Sequence, residues 1–176
     1  TRRSSDLTTA DEAGVLTLPR AALVDAAPLA QARFLSAACL CAAGTDRPPR
    51  PDRIEALRLR LGGVAPVVAT LAGARIEADG RDLRFLREIG ELTRKGPARL
   101  EDGVWDGRFE ILPADLDADI RPFRGLSRHL TERPRSPGRA GLPVVVEPEG
   151  QVRAAKASPL ALTRLRAACG RVRAEP

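Results

Sequence analysis

Apolar residues recur with helical period in the first third of the chain. From Pro28 to about Ala43, Leu35, Ala38 and Ala42 fall at i, i+3 and i+7, and Phe34 and Cys41 widen the stripe. Such spacing lines up one face of an α-helix, and Gly44 is placed to end it. Thr45 to Pro51 (TDRPPRP) is expected not to be helical, because proline fixes its own φ and pushes the preceding residue toward extended backbone. A second helix is predicted from about Asp52, as N-cap, to Leu61, with Ile54, Leu57 and Leu61 on its apolar face and Gly62-Gly63 after it. The period then shortens to two. Ala74 to Ala78 alternates apolar and polar residues, Asp79-Gly80 follows, and Leu83 and Phe85 alternate with Asp82 and Arg84. The segment reads as a hairpin with a type I′ turn at Asp79-Gly80, and Val104 to Ile111 around Asp106-Gly107 repeats the signal.

The flanks carry weaker patterns. Val15 to Leu18 is a short extended piece stopped by Pro19, Arg124 to Leu130 a short helix, Leu142 to Glu147 a strand, and Pro159 to Ala168 a helix with proline in its first turn. Together these predict an α+β chain: an N-terminal helix pair, a small mostly antiparallel sheet, and a mixed basic tail. The corresponding divisions are 1–64, a helical segment with a Pro-Pro-Arg corner; 65–112, the hairpins; and 113–176, the basic C-terminal region.

Charge sharpens that division. Residues 1–120 hold 17 basic and 19 acidic side chains, whereas residues 121–176 hold 12 basic and 4 acidic, so the net +6 resides in the last third. A basic region on a near-neutral body favours a polyanion partner, RNA foremost. The cations are almost all Arg, whose planar fork can donate two hydrogen bonds to one phosphate. Pairing of those Arg residues with nearby Asp and Glu is the competing reading. With few aromatics and no Met or Tyr, the core must be filled by Leu, Val and Ala.

The search for chemistry yields little. There is no GxxxxGK[ST] phosphate loop and no GxSxG. His129 is the sole histidine and sits among arginines, where a surface role fits better than that of a general base. Cys39, Cys41 and Cys169 lack zinc-ligand spacing, and their odd number argues for free thiols in a reducing cytoplasm rather than a secreted disulfide framework. Asp115, Asp117 and Asp119 would share one face of a strand and could hold Mg²⁺; a solvated acidic loop is the plainer alternative. No apolar run reaches the ~18 residues of a membrane span. The expectation is therefore no catalytic residue, no metal, no cofactor and no membrane contact in this chain. The lack of an initiator Met fits either its removal before Thr1 or a start inside a longer reading frame.

Several short motifs, taken in order, resemble the region that follows the catalytic domain in bacterial tRNA(Ile)-lysidine synthetase. They are Arg33-Phe34-Leu35, Pro48-Pro49-Arg50, Ile54-Glu55 with Leu57, Ala69-Thr70-Leu71-Ala72-Gly73-Ala74-Arg75, Leu83-Arg84-Phe85 with Arg87-Glu88, Trp105-Asp106-Gly107-Arg108-Phe109, and Leu142-Pro143-Val144 before Gly150. The resemblance implies a carbon–nitrogen ligase that uses ATP and Mg²⁺ in a separate PP-loop domain to convert the wobble cytidine of an isoleucine tRNA to lysidine. The SGGxDS motif of that domain has no counterpart here, so this chain alone is expected to be inactive, with the PP-loop domain as partner in cis or in trans. What the resemblance implies for the chain itself is tRNA binding, with Arg50, Arg75, Arg87 and Arg108 as candidate backbone contacts and Arg124 and Arg128 of the basic region as further candidates. The alternative is a structural module that packs on a partner domain without touching RNA.

Overall fold

The computed structural model describes residues 4–124, 126 and 136–170. It is α+β with antiparallel sheets, as expected, but the order of elements differs from a helix pair placed first. Two strands lead, β1 (Thr9–Ala10) and β2 (Leu16–Pro19), followed by the short α1 (Arg20–Val24), α2 (Pro28–Ala43) and α3 (Pro51–Leu61). β3 (Val67–Leu71), β4 (Ala74–Ala78) and β5 (Asp82–Arg87) then join β1 and β2 in one sheet of order β1-β2-β5-β4-β3. The extended piece before Pro19 thus pairs with the hairpin 60 or more residues later, Leu16 opposite Phe85 and Leu18 opposite Leu83.

The two main helices form where the periodicity placed them. Pro28 occupies the first turn of α2, where its missing N–H costs nothing, and Gly44 caps the end in the left-handed region at φ 70°. α3 starts one residue before the expected cap: Arg50 is the N-cap and Pro51 the first helical residue, with Asp52 in the first turn, where a carboxylate meets the positive helix end. α2 lies on the sheet and buries Phe34, Leu35, Ala38, Cys39, Cys41 and Ala42 against Leu16, Leu18, Ile76, Leu83 and Phe85. Phe34 meets Phe85 edge to face, ring centroids 6.1 Å apart. Cys39 and Cys41 are both packed inside, and burial pushes their thiols up to about 12 and about 11. Arg20, 5% exposed, closes the C-terminal end of α3, its guanidinium donating to the carbonyls of Leu61, Gly63, Ala65 and Asp79.

Two small sheets complete the molecule. β6 (Val104–Trp105) and β7 (Phe109–Ile111) form a hairpin that β11 (Ala157–Pro159) extends, and β9 (Pro143–Val146) lies between β8 (Ile120–Pro122) and β10 (Val152–Ala154). Trp105, Phe109 and Ile111 form their core, packed by Leu100, Ile120, Leu142 and Ala157. The expected strand at 142–147 is β9. Pro159 is not in a helix but ends β11, and the last helix, α5 (Ala161–Gly170), begins two residues later and packs Ala161 and Leu165 into the first core. α4 (Ile89–Lys95) follows β5 directly and had no sequence signal of its own. The helix expected at 124–130, and with it Arg128 and His129, lies outside the described residues save Arg124 and Leu126.

The turns redistribute the glycines. Asp79-Gly80 is not a type I′ turn, since neither residue has positive φ; the Asp79 carboxylate instead accepts from the N–H groups of Arg81 and Asp82, at 2.8 Å each. The type I′ pattern, positive φ at two successive residues, occurs at Ala72-Gly73, Asp102-Gly103 and Asp106-Gly107.

Candidate nucleic-acid interface

The Asp106-Gly107 turn is the centre of the molecule's polar interior. Along β5, Leu83, Phe85 and Arg87 alternate onto the core face, so Arg87 continues the apolar row and places its guanidinium at the sheet end beside α2. There its Nε donates to Asp106 Oδ2 (3.3 Å), and its Nη1 donates to Gly73 O (3.1 Å) and Glu91 Oε2 (3.0 Å). From the other side Arg108 Nε donates to the same Asp106 oxygen (2.9 Å) and Nη2 to Gly141 O (2.7 Å), while its guanidinium carbon lies over the Phe109 ring, 4.9 Å from the ring centre. Asp106 Oδ1 accepts from Ala98 N–H (3.2 Å). Burial draws the Arg108 guanidinium below its ordinary pKa, opposed by Asp106. Glu91 is held below its ordinary value by hydrogen bonds from Lys95 and Arg87.

This network is locked by close backbone contact. A Cβ on Gly44 would fall 2.1 Å from Asp106 O, and one on Gly107 would fall 2.1 Å from Gly44 O. The end of α2 therefore rests directly on the hairpin turn, with glycine required on both sides. Arg164 of α5 reaches Gly107 O, and Leu160 N–H donates to Arg108 O (2.8 Å), so three elements converge on two residues.

In front of the network opens a cleft of about 510 Å³. Its walls are the Thr45–Pro49 corner, Ala72 of the β3–β4 turn and the segment Lys95 to Ala98; Arg87, Glu91 and Asp106 also line it. Three cations (Arg47, Arg87, Lys95) face two carboxylates, leaving one positive charge in surplus. Exposed Arg94 and Arg99 flank the Lys95–Ala98 wall in sequence, and Arg124 donates to Thr93 Oγ1 of α4.

The sequence-derived arginines divide sharply. Arg50 is exposed and pairs with Asp52 at 3.2 Å. Arg75 is half-exposed and pairs with Glu77 at 2.7 Å. Arg87 and Arg108 are 8% and 3% exposed and belong to the buried network. Arg124 is exposed at α4. The structure brings Arg87 and Arg108 together through Asp106, a convergence that the motif Trp-Asp-Gly-Arg did not disclose. Arg47, noted in the sequence only as part of the Pro-Pro corner, emerges as an exposed cation at the cleft.

The three aspartates do not share a face. Pro113–Asp115 is a 3₁₀ turn, which points Asp115 inward, 1% exposed, to a two-oxygen pair with Arg153 (2.7 and 3.0 Å) and the Lys156 N–H (2.6 Å). Asp119 pairs with Arg121 at 2.6 Å and Asp117 is exposed, so the three carboxylates do not converge on one magnesium site, and the solvated-loop reading holds for Asp117 and Asp119 but not for Asp115. The hydrogen bonds from Arg153 and the Lys156 amide hold the Asp115 carboxyl down at about 2. Among the described residues no group of three His, Cys, Asp or Glu side chains could hold a metal ion, and no helix is long and apolar enough to cross a membrane.

Comparison with known proteins follows the motifs. No family model matches the chain, and no solved structure does. A protein of Caulobacter vibrioides described as tRNA(Ile)-lysidine synthase is 43% identical over 131 residues, an alignment that covers 72% of this chain. The chain spans only 30% of that relative's length. By sequence, then, these 131 residues match one part of a tRNA(Ile)-lysidine synthase.

Proposed function

We propose that this chain is the RNA-holding part of a tRNA(Ile)-lysidine synthase, corresponding to the region after the catalytic domain, and that it grips an isoleucine tRNA while a PP-loop domain carries out the ATP-dependent conversion of cytidine to lysidine. The observation that carries this reading is the 43% identity to a protein of that name. The exposed cations support it: phosphate contacts from Arg and Lys supply sequence-independent affinity and orient an RNA without reading its bases. No step of the ligation is assigned to residues of this chain; ATP and Mg²⁺ belong to the PP-loop domain in this reading.

The test is a filter-binding titration of isoleucine tRNA over a range of salt concentrations. The expected result is binding at low salt that weakens log-linearly as salt rises, with a slope near −0.7 to −0.9 per neutralised phosphate, roughly, as for other polyanion complexes. Absence of binding at low salt overturns the reading.

One set of observations favours a purely structural module. Arg50, Arg58, Arg75, Arg84, Arg87, Arg108, Arg121 and Arg153 all form ion pairs with Asp or Glu in this chain. Under that reading the arginines hold the fold and its surface together, and the chain packs on a catalytic domain without RNA contact. The same titration separates the two.

A further inference from the structure

We infer that the cleft between the Pro48-Pro49 corner and the Lys95–Ala98 segment receives one unstacked nucleotide from a single-stranded part of an RNA. The inference rests on the RNA-holding reading above and names the place and the form of RNA.

Shape and charge give the argument. The cleft, about 510 Å³, falls in the size range of small-molecule sites. It is far too narrow for a duplex, whose A-form helix is roughly 20 Å across and is gripped from outside through phosphates and 2′-hydroxyls. Its side walls are flat, rigid and largely apolar: Pro48 and Pro49 on one side, Pro97 and Ala98 on the other. Its floor is charged but internally arranged. Both Glu91 oxygens are taken, by Arg87 and Lys95, and both Asp106 oxygens are engaged as well, so neither carboxylate is left to repel an anion at full strength.

One donor of that floor remains unused. Arg87 is 8% exposed and lines the cleft, yet among the described residues its Nη2 has no hydrogen-bond partner, whereas Nε and Nη1 are both engaged. A guanidinium fixed on two sides with its third nitrogen free is an oriented receptor for a phosphate oxygen. At the mouth, exposed Arg47 makes no ion pair among the described residues and can either bind the next phosphate or lie flat on the base. Among the described residues no aromatic side chain lines the cleft, so the base packs on proline rings and the Arg47 plane rather than on Tyr or Trp. Affinity for a single nucleotide should accordingly be modest and tolerant of base identity.

The experiment uses the full chain and two variants, Arg47→Glu at the mouth and Ala98→Trp to fill the cleft. Neither side chain takes part in the buried network, so folding can be checked by thermal melt before binding is read. The probes are a fluorescently labelled single-stranded tetraribonucleotide, a blunt-ended RNA duplex, and isoleucine tRNA, each titrated by anisotropy at low salt. The expected result is that the tetranucleotide binds the wild type, that both variants weaken it at least tenfold, and that tRNA binding falls in parallel while the duplex is affected much less by Ala98→Trp. If the tetranucleotide does not bind, or binds both variants as it does the wild type, the cleft is not the site; tRNA binding retained by the wild type then leaves the RNA-holding reading standing. If the wild type binds none of the three RNAs, both fall.

Discussion

Two arginine-rich regions of this chain lie next to each other and do opposite things. In the junction behind the cleft, Arg87 and Arg108 share Asp106 and are all but sealed from water, at 8% and 3% exposure. At the rim, Arg47 and Arg50 are open to solvent, and Arg50 touches only a surface carboxylate. The contrast shows that an Arg in a conspicuous motif is a statement about hydrogen-bonding capacity, not about what is bound. Inside, that capacity ties the β3–β4 turn, α4, the β6–β7 hairpin and the Gly141 carbonyl into one unit. At the rim it is available to a ligand.

The largest expected effect comes from breaking the junction. Asp106→Ala leaves two buried guanidiniums without their shared carboxylate, and removal of one member of a buried ion pair costs about 3–5 kcal/mol. Urea unfolding should show a loss in that range; a loss below about 1 kcal/mol, within the ordinary scatter of surface changes, would break the contrast between the regions.

The Asp115–Arg153 pair is buried on the acid side only, and its behaviour can be read with pH. The folded carboxyl, at about 2, lies below its ordinary value of 3.8, so its contribution is fully present above that ordinary value. As pH falls from about 4 toward about 2 the contribution is lost, because the unfolded chain takes up the proton first. Asp115→Asn should flatten this part of the stability–pH curve, measured by denaturant midpoints from pH 5 down to pH 2. An unchanged slope would show that other carboxylates dominate acid unfolding.

The smallest effect on stability is expected at the surface. Arg50→Ala removes an exposed pair and Arg75→Ala a half-exposed one, each worth about 0–1 kcal/mol, so melting should barely change. On the RNA-holding reading, each should reduce the slope of log affinity against log salt by about 1 if the side chain neutralises one phosphate. Melting shifts comparable to that of Asp106→Ala would erase the distinction between rim and junction.

Much of the framework was legible in the sequence because strong local chemistry marked it. Pro28 and Gly44 bound α2, and Asp106-Gly107 makes the turn between β6 and β7, whereas Pro51, expected outside any helix, is the first residue of α3. What escaped notice was weakly marked. β3 has no apolar–polar alternation, and its turn uses Ala72 at φ 49°, a residue that rarely signals positive φ. α4 is seven residues long with Leu92 as its one buried residue. Asp79-Gly80 carried the turn signal but is satisfied by side-chain capping instead. For the site, the sequence marks Arg87 only as a candidate phosphate contact, whereas the structure buries it. Its register with Leu83 and Phe85 was the available clue that it sits on the core side. The cleft itself is assembled from segments near residues 45, 72, 87 and 97, a convergence that only the long-range pairing of the chain creates.

The central claim is that RNA meets this chain at the cleft and its basic rim, with the junction behind serving as scaffold. Amide hydrogen exchange with and without isoleucine tRNA at low salt tests it most directly. The account predicts new protection concentrated in residues 43–50 and 89–99, with the N–H groups of β4 and β5 unchanged. Full tRNA binding with no protection in those two segments would contradict it.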